Sequence, residues 1–377
     1  MKYWRGYLVA AILAACTWAF REFAQTHTKL VDMIYPYVTR LIQNFMAGWS
    51  GGVEFCVWQA VLLALAAVGV ATIVLMIIFK WNPIQWFGWI TAVAALIMLL
   101  HTGIFGMNEF AGPVAEDIRL HEADCSQEQL EAAAVYYRDM ANDLSSRVSG
   151  AADLSALNEQ AAGGFENLVY EHYFSVFAGS TAPVKELGMA EQFTGRGEMG
   201  YTVAITGEAA INPETPVVMQ PFAVCREMCY RMSIASQRDK HFGAFLACQA
   251  NESVEFQYAG YLMAYRYCLK ALPQTAANTV NAQANAKVRD DVAAWDAFVE
   301  PAEILAAEKA EKEGLKDTTD SEIADLLTRW HYQEVVIPSI TEPEVTFDPM
   351  DESQVDLTGL PHGPEPTEAT EETEAAA

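Results

Sequence analysis

Basic residues are scarce in this chain: 23 Lys and Arg stand against 49 Asp and Glu, a net charge of −26. So acidic a chain repels phosphate backbones, which excludes nucleic acid as a partner. Repulsion from anionic headgroups likewise argues against its acidic part lying flat on a membrane. Cysteine is scarce too. Of the 7 present, Cys16 and Cys56 fall in hydrophobic runs. Cys125, Cys225, Cys229, Cys248 and Cys268 remain, an odd set without Cys-x-x-Cys spacing. That excludes an even disulfide framework and a zinc ribbon. Phosphate loops, Rossmann glycine patterns and nucleophile elbows are also missing.

Hydrophobic runs, by contrast, are plentiful near the N-terminus. Phe55–Phe79 carries no charge and only Gln59 and Thr72 as clearly polar groups. Roughly 20 apolar residues suffice to cross a bilayer core. Ile84–Met107 is a second such run, with Trp81, Trp86 and Trp89 clustered where an aromatic belt is expected. Lys80, Asn82 and Pro83 form the turn between them. Gly6–Phe20, bounded by Arg5 and Arg21, is shorter. It has the length of a signal-peptide core, and Leu13-Ala14-Ala15-Cys16 resembles a lipoprotein cleavage box. The residues after Cys16 stay apolar, so an uncleaved first span is expected, with Tyr3, Trp4 and Arg5 snorkelling at one end.

Charge divides the chain at the same place. Residues 1–107 hold six Lys/Arg and three Asp/Glu; residues 108–377 hold seventeen and forty-six. The expected organisation is therefore a three-span membrane anchor over 1–107, a soluble domain over 108–340 and a disordered acidic tail over 341–377. From Thr341 onward there are eleven acidic residues, no Lys or Arg and five prolines. Such a segment buries too little apolar surface to offset its ordering entropy. Lys2 and Arg5 favour a cytoplasmic N-terminus, which places the soluble domain outside the cytoplasm in a multi-pass cell-membrane protein. The rule discriminates little here, because Lys2, Arg5 and Lys80 are matched by Arg21, Lys29 and Arg40.

In the soluble part, Gln127–Val148 and Ala151–Phe177 show helical spacing, the second with a weak point at Gly163-Gly164. Residues 178–199 read as a loop. Tyr201–Ile205 reads as a short strand stopped by Gly207, and Pro221 as the opening of a helix to about Ser236. Further helices are expected near 239–250, 253–271, 280–312 and 319–332.

Chemistry concentrates in Gln220–Cys268. On the Pro221 helix, Arg226 and Tyr230 stand four apart with Glu227 beside the first. Zinc peptidases use that spacing for two His ligands and a Glu that activates water. Neither His is present. A rival grouping is Cys225 and Cys229, also four apart, with His241 and a carboxylate as a zinc site. The Cys pair is rotated by about 100° from the 226/230 face. Cysteines buried as small hydrophobes account for the same residues.

Five segments carry a family resemblance: Gly106-Met-Asn108, Thr206-Gly-Glu-Ala-Ala-Ile-Asn212, Pro221-Phe-Ala-Val-Cys-Arg-Glu-Met-Cys-Tyr230, Asp239-Lys-His-Phe-Gly-Ala-Phe-Leu-Ala-Cys248 and Tyr258-Ala-Gly-Tyr261. In order and spacing they resemble the bacterial family of domain of unknown function 3810, membrane-anchored zincin-like proteins. Its patterns are G-L-N-Y, T-G-E-A-N-x-N, P-F-x-x-C-H-E-x-x-H, E-A-N-F-x-A-Y-L-A-C and Y-S-G-Y. The resemblance covers roughly residues 1–335 and implies a mostly helical, zincin-like α+β domain behind three spans. It also implies zinc, yet the ligand positions hold Arg226, Tyr230 and Asp239, while the general-base position keeps Glu227. Guanidinium has no lone pair for a metal, and a phenol is a poor zinc ligand at neutral pH.

The expectation is thus a vestigial site without zinc or another cofactor, in which Arg226 replaces the metal's charge by pairing with Asp239 or Glu208. Thr206, Gly207, Glu208, Asn212 and Tyr258 are groove candidates by the same resemblance. The function expected is a membrane-tethered, catalytically inactive metallopeptidase homologue, in contact with the lipid bilayer, binding a protein, peptide or envelope ligand. The alternatives are an active metallopeptidase with non-standard ligands and a purely structural membrane protein.

Overall fold

A computed structural model describes residues 4–338, apart from Ala123, Ala151, Ala152 and Lys316. Lys2, Tyr3 and the acidic tail expected over 341–377 lie outside the described residues. The first four helices are α1 (Arg5–Thr26), α2 (Thr28–Ser50), α3 (Val57–Ile78) and α4 (Pro83–Ile104). Three of them, α1, α3 and α4, are long and apolar enough to cross a membrane. All three match expected spans, the first extended by several residues at its C-terminal end. Asn82 caps α4 by accepting from the Ile84 amide at 2.9 Å, and Pro83 starts it where no amide is needed.

A 3₁₀ turn, Gly106–Phe110, leads into the rest of the chain. There the helices are α5 (Val114–Asp117), α6 (Gln127–Ser145), α7 (Leu154–Tyr170), α8 (Ala190–Thr194), α9 (Gln220–Arg231), α10 (Gln237–Gln249), α11 (Val254–Ala271), α12 (Gln274–Ala282), α13 (Ala286–Lys312) and α14 (Thr319–His331). A capping box between Ser126 and Gln129 opens α6. Gly163 and Gly164 do not break α7: Gly164 lies against the Ala247 carbonyl, where a Cβ would approach to 2.4 Å.

The expected loop over 178–199 holds a strand, β1 (Lys185–Glu186), as well as α8. With β2 (Gly200–Val203) and β3 (Glu208–Ile211) it forms a sheet in the order β1-β3-β2, parallel on the β1 side and antiparallel on the β2 side. Gly207 turns the hairpin at φ +65° and sits against the backbone of Ala47 in α2. The expected helix over 280–312 is two, α12 and α13, broken at Gln283–Asn285.

One contiguous hydrophobic core runs from Val114 to Trp330. Helix α9 is its axis: ten of its twelve residues are buried, under α10 and α11 on one side and the sheet on the other.

Candidate functional site

Pro221 starts α9 and Met232 ends it, where Ser233 takes a left-handed backbone (φ +72°). Between them Arg226, Glu227 and Tyr230 sit at a junction of four elements. Arg226 is 8 % exposed, and every arm of its guanidinium is engaged. Nε donates to His241 Nε2 at 2.8 Å, Nη2 to Gln237 Oε1 at 2.8 Å, and Nη1 pairs with Glu227 Oε1. The carboxylate that neutralises Arg226 therefore belongs to the next residue, and the expected pairing with Asp239 or Glu208 is corrected. A guanidinium fork reaches its neighbour's carboxylate when both are shielded from water, because burial makes the nearest opposite charge decisive.

Glu227 is sealed as well as paired. Its Oε2 accepts from Thr202 Oγ1 at 2.6 Å, on β2. Gly200 of the same strand crosses directly above it: a Cβ there would lie 2.7 Å from Glu227 Cγ. Only glycine lets β2 pass so close. Both carboxylate oxygens are thus occupied.

His241 accepts from Arg226 at Nε2, so its proton sits on Nδ1 and is shared with the Tyr267 hydroxyl. Burial, then the cations Arg226, Lys240 and Arg266, hold its pKa well below the usual value, and it stays neutral. Lys240 lies with Nζ 5.1 Å from the Tyr230 ring centroid. Burial and the Arg226 charge push its pKa down to about 8, against the pull of Glu227, Cys229 and Glu198. Tyr230 itself stacks on Phe105, centroids 3.9 Å apart and planes within 10°. Phe105 directly follows α4, so Tyr230 docks this helix onto the exit of a candidate span. Burial raises its phenol pKa, which keeps the proton on the oxygen.

One cavity of about 260 Å³ opens beyond the end of α9, between α2 and Ser233–Asp239, and another of about 250 Å³ lies against Arg226. The second is lined by Arg226, His241, Tyr267, Glu198 and Arg266, and roofed by α13 through Trp295 and Ala302. Arg266 holds that roof, bonding Asp296 and Glu303 at 2.5 Å each. Glu227 does not line it. Asp239, at the third expected ligand position, lines the other cavity together with Arg40, Asp117 and Arg238. Its carboxylate pairs with Arg238 at 2.9 Å, and its amide is capped by Ser236.

The groove candidates lie elsewhere. Glu208 pairs with Lys185 at 2.7 Å and accepts from the Val57 and Trp58 amides at 2.7 and 2.8 Å, capping α3. Asn212 ties the loop before α9, donating to Thr194 Oγ1 and the Glu198 carbonyl. Thr206 donates to the Val203 carbonyl within the hairpin. Gly207 meets α2, and the Tyr258 hydroxyl donates to Asp291 at 2.6 Å. None of the five lines the cavity beside Arg226. Gln237, Lys240, His241 and Tyr267 do meet at the junction; the i, i+4 pattern around Arg226 carried no signal for them.

Over residues 31–313 the chain matches the family model described as "Protein of unknown function (DUF3810)". The chain belongs to this family. No curated protein and no solved structure matches it. The zinc that the resemblance implies meets an unsuitable donor set here. Arg226 and protonated Tyr230 are unsuited as ligands, and each carboxylate oxygen of Glu227 and the Nε2 of His241 already accepts a hydrogen bond. Cys225 and Cys229 stay thiols, since burial raises both pKa values well above normal, and Cys225 faces Cys248 rather than His241. Among the described residues no group of three or more His, Cys, Asp or Glu is placed to hold a metal ion.

Proposed function

We propose that this DUF3810 member is a membrane-tethered, catalytically inactive metallopeptidase homologue that binds an extended peptide or envelope ligand outside the cytoplasm. In this reading the domain is zincin-like, and Arg226 supplies in the resting protein the positive charge that zinc supplies in a working peptidase. The observation that carries it is the hydrogen-bonded chain His241–Arg226–Glu227–Thr202, which occupies both Glu227 carboxylate oxygens and His241 Nε2, groups a hydrolytic site would need free. Activating water requires a carboxylate oxygen turned toward the substrate, and both oxygens of Glu227 are bonded inside the protein instead. The cavity beside Arg226 supplies the binding function. Its wall mixes cations (Arg226, Arg266) with carboxylates (Glu198, Glu303) and an aromatic face, Trp295. Such a lining suits the alternating polar and apolar groups of a peptide backbone.

The test uses the full chain in nanodiscs. A peptide library should yield binders whose capture is lost on Ala302→Trp, which fills the cavity, and kept on Glu227→Gln. Zinc-dependent cleavage of any peptide that disappears with Glu227→Gln would establish the active-peptidase alternative instead. The sealing of Glu227 under Gly200 favours a second reading, a purely structural membrane protein. Absence of any binder sensitive to Ala302→Trp would select it.

A further inference from the structure

Helix α2 has two unlike faces, a mixed polar and apolar one packed on the rest of the chain and an apolar one left exposed. Val31, Tyr35, Thr39, Gln43 and Ala47 are buried against the rest of the chain. On the opposite side run Leu30, Ile34, Val38, Leu41, Phe45 and Trp49, a stripe at i, i+4, i+7 spacing with no charge on it. Leu41, Phe45 and Trp49 are 71 %, 72 % and 67 % exposed, more than most residues of the candidate spans. A stripe this apolar marks a surface that something covers.

The ends of the candidate spans say what covers it. Only His27 separates α1 from α2. The Tyr35 hydroxyl donates to the Thr102 carbonyl at 3.0 Å and Thr39 Oγ1 to the Ile104 carbonyl at 3.3 Å, so the end of α4 meets the first half of α2. At the other end, Lys185 Nζ bridges the Ser50 and Phe55 carbonyls at 2.9 Å each, just before α3 starts at Val57. The end of α1, the start of α3 and the end of α4 fall on one side of the bilayer by connectivity. A helix of 23 residues, about 35 Å long, stretched between these points runs along that surface.

We propose that α2 lies in the headgroup–acyl boundary of the same membrane that α1, α3 and α4 cross, with the Leu30–Trp49 stripe in lipid and the soluble domain seated on its back. The bilayer touches the chain here through an uncharged strip, so the acidity of the domain does not oppose the contact. The domain is thereby held at a fixed height instead of swinging on a tether. Arg40 illustrates the coupling: from α2 its guanidinium donates to the carbonyls of Ser175 and Val176 in the domain.

Spin labels test this in the full chain, reconstituted in vesicles of phosphatidylcholine and phosphatidylglycerol, with Cys16→Ala and Cys125→Ser to remove accessible thiols. Labels are placed through Leu41→Cys, Phe45→Cys and, as an aqueous control, Glu166→Cys. Labels at 41 and 45 should relax faster with oxygen than with a nickel chelate, and the label at 166 should show the reverse. Water-like accessibility at 41 and 45 would overturn the proposal. So would shielding from both reagents, which would mean that protein, such as a second copy of the chain, covers the stripe. Two adjacent positions guard against one substitution disturbing the helix.

Discussion

Two buried ion pairs, about twenty residues apart in the chain, make opposite use of the same chemistry. Lys185–Glu208 joins β1 to β3, and every polar atom of it has a backbone partner as well: the ammonium reaches two carbonyls, the carboxylate two amides of α3. Arg226–Glu227 joins neighbours on one helix, bonds almost only side chains, and has a cavity at its edge. The first pair is a clamp between the sheet and α3, a candidate span. The second is, in the proposed reading, a plug where a peptidase would have its reaction centre. A buried pair with backbone partners fixes architecture; one bonded through side chains is free to be replaced.

The sharpest way to break this comparison is to remove one charge from each pair. Glu208→Ala strips Lys185 of its counter-ion and α3 of its cap, and should cost about 4 kcal/mol in urea unfolding of the detergent-solubilised chain. Lys185→Met added to Glu208→Gln should recover most of that. Arg226→Met should cost less, about 2 kcal/mol, because Glu227 keeps its bond from Thr202 and can take up a proton. Equal losses at the two sites would contradict the distinction between clamp and plug.

Lys240→Met sharpens the second pair by pH. Lys240 has its pKa lowered from 10.5 to about 8 by burial and Arg226. Between those values the unfolded chain binds more protons than the folded one, so native stability rises as pH climbs from about 8 to 10.5. At pH 7 the variant should be more stable than the native chain by about 2 kcal/mol, a gap that closes as pH passes that window. A gap independent of pH would mean that Lys240 acts by packing alone. Smallest is Tyr230→Leu, which removes the stack on Phe105 and should cost about 1 kcal/mol in the same assay.

Much of this fold was legible in the residues. Uncharged runs and their tryptophan belt placed the spans, and helical spacing placed α6, α7, α10, α11 and α14. Helix α2 was not read although it is strongly amphipathic: Thr39, Arg40 and Gln43 lie on its buried side and the large apolar residues on its exposed side, the reverse of the usual pattern, and Pro36 sits inside it. Strand β1 has two residues and gains its identity only from pairing with β3. The site was half legible. The cationic substitution at 226 stood out, but its partners did not, since His241 and Gln237 come from α10 and Tyr267 from α11. Glu208 and Asn212 were groove candidates through the resemblance alone; the residues by themselves left Glu208 equally open to accepting backbone hydrogen bonds, as it does from Val57 and Trp58.

In the proposed reading, Arg226 stands where a peptidase would bind its metal. Zinc should be measured by mass spectrometry on the full chain, purified from zinc-supplemented cells and dialysed against metal-free buffer. The account predicts zinc far below one ion per chain, unchanged by Glu227→Gln. One zinc retained per chain and released by that substitution would contradict it.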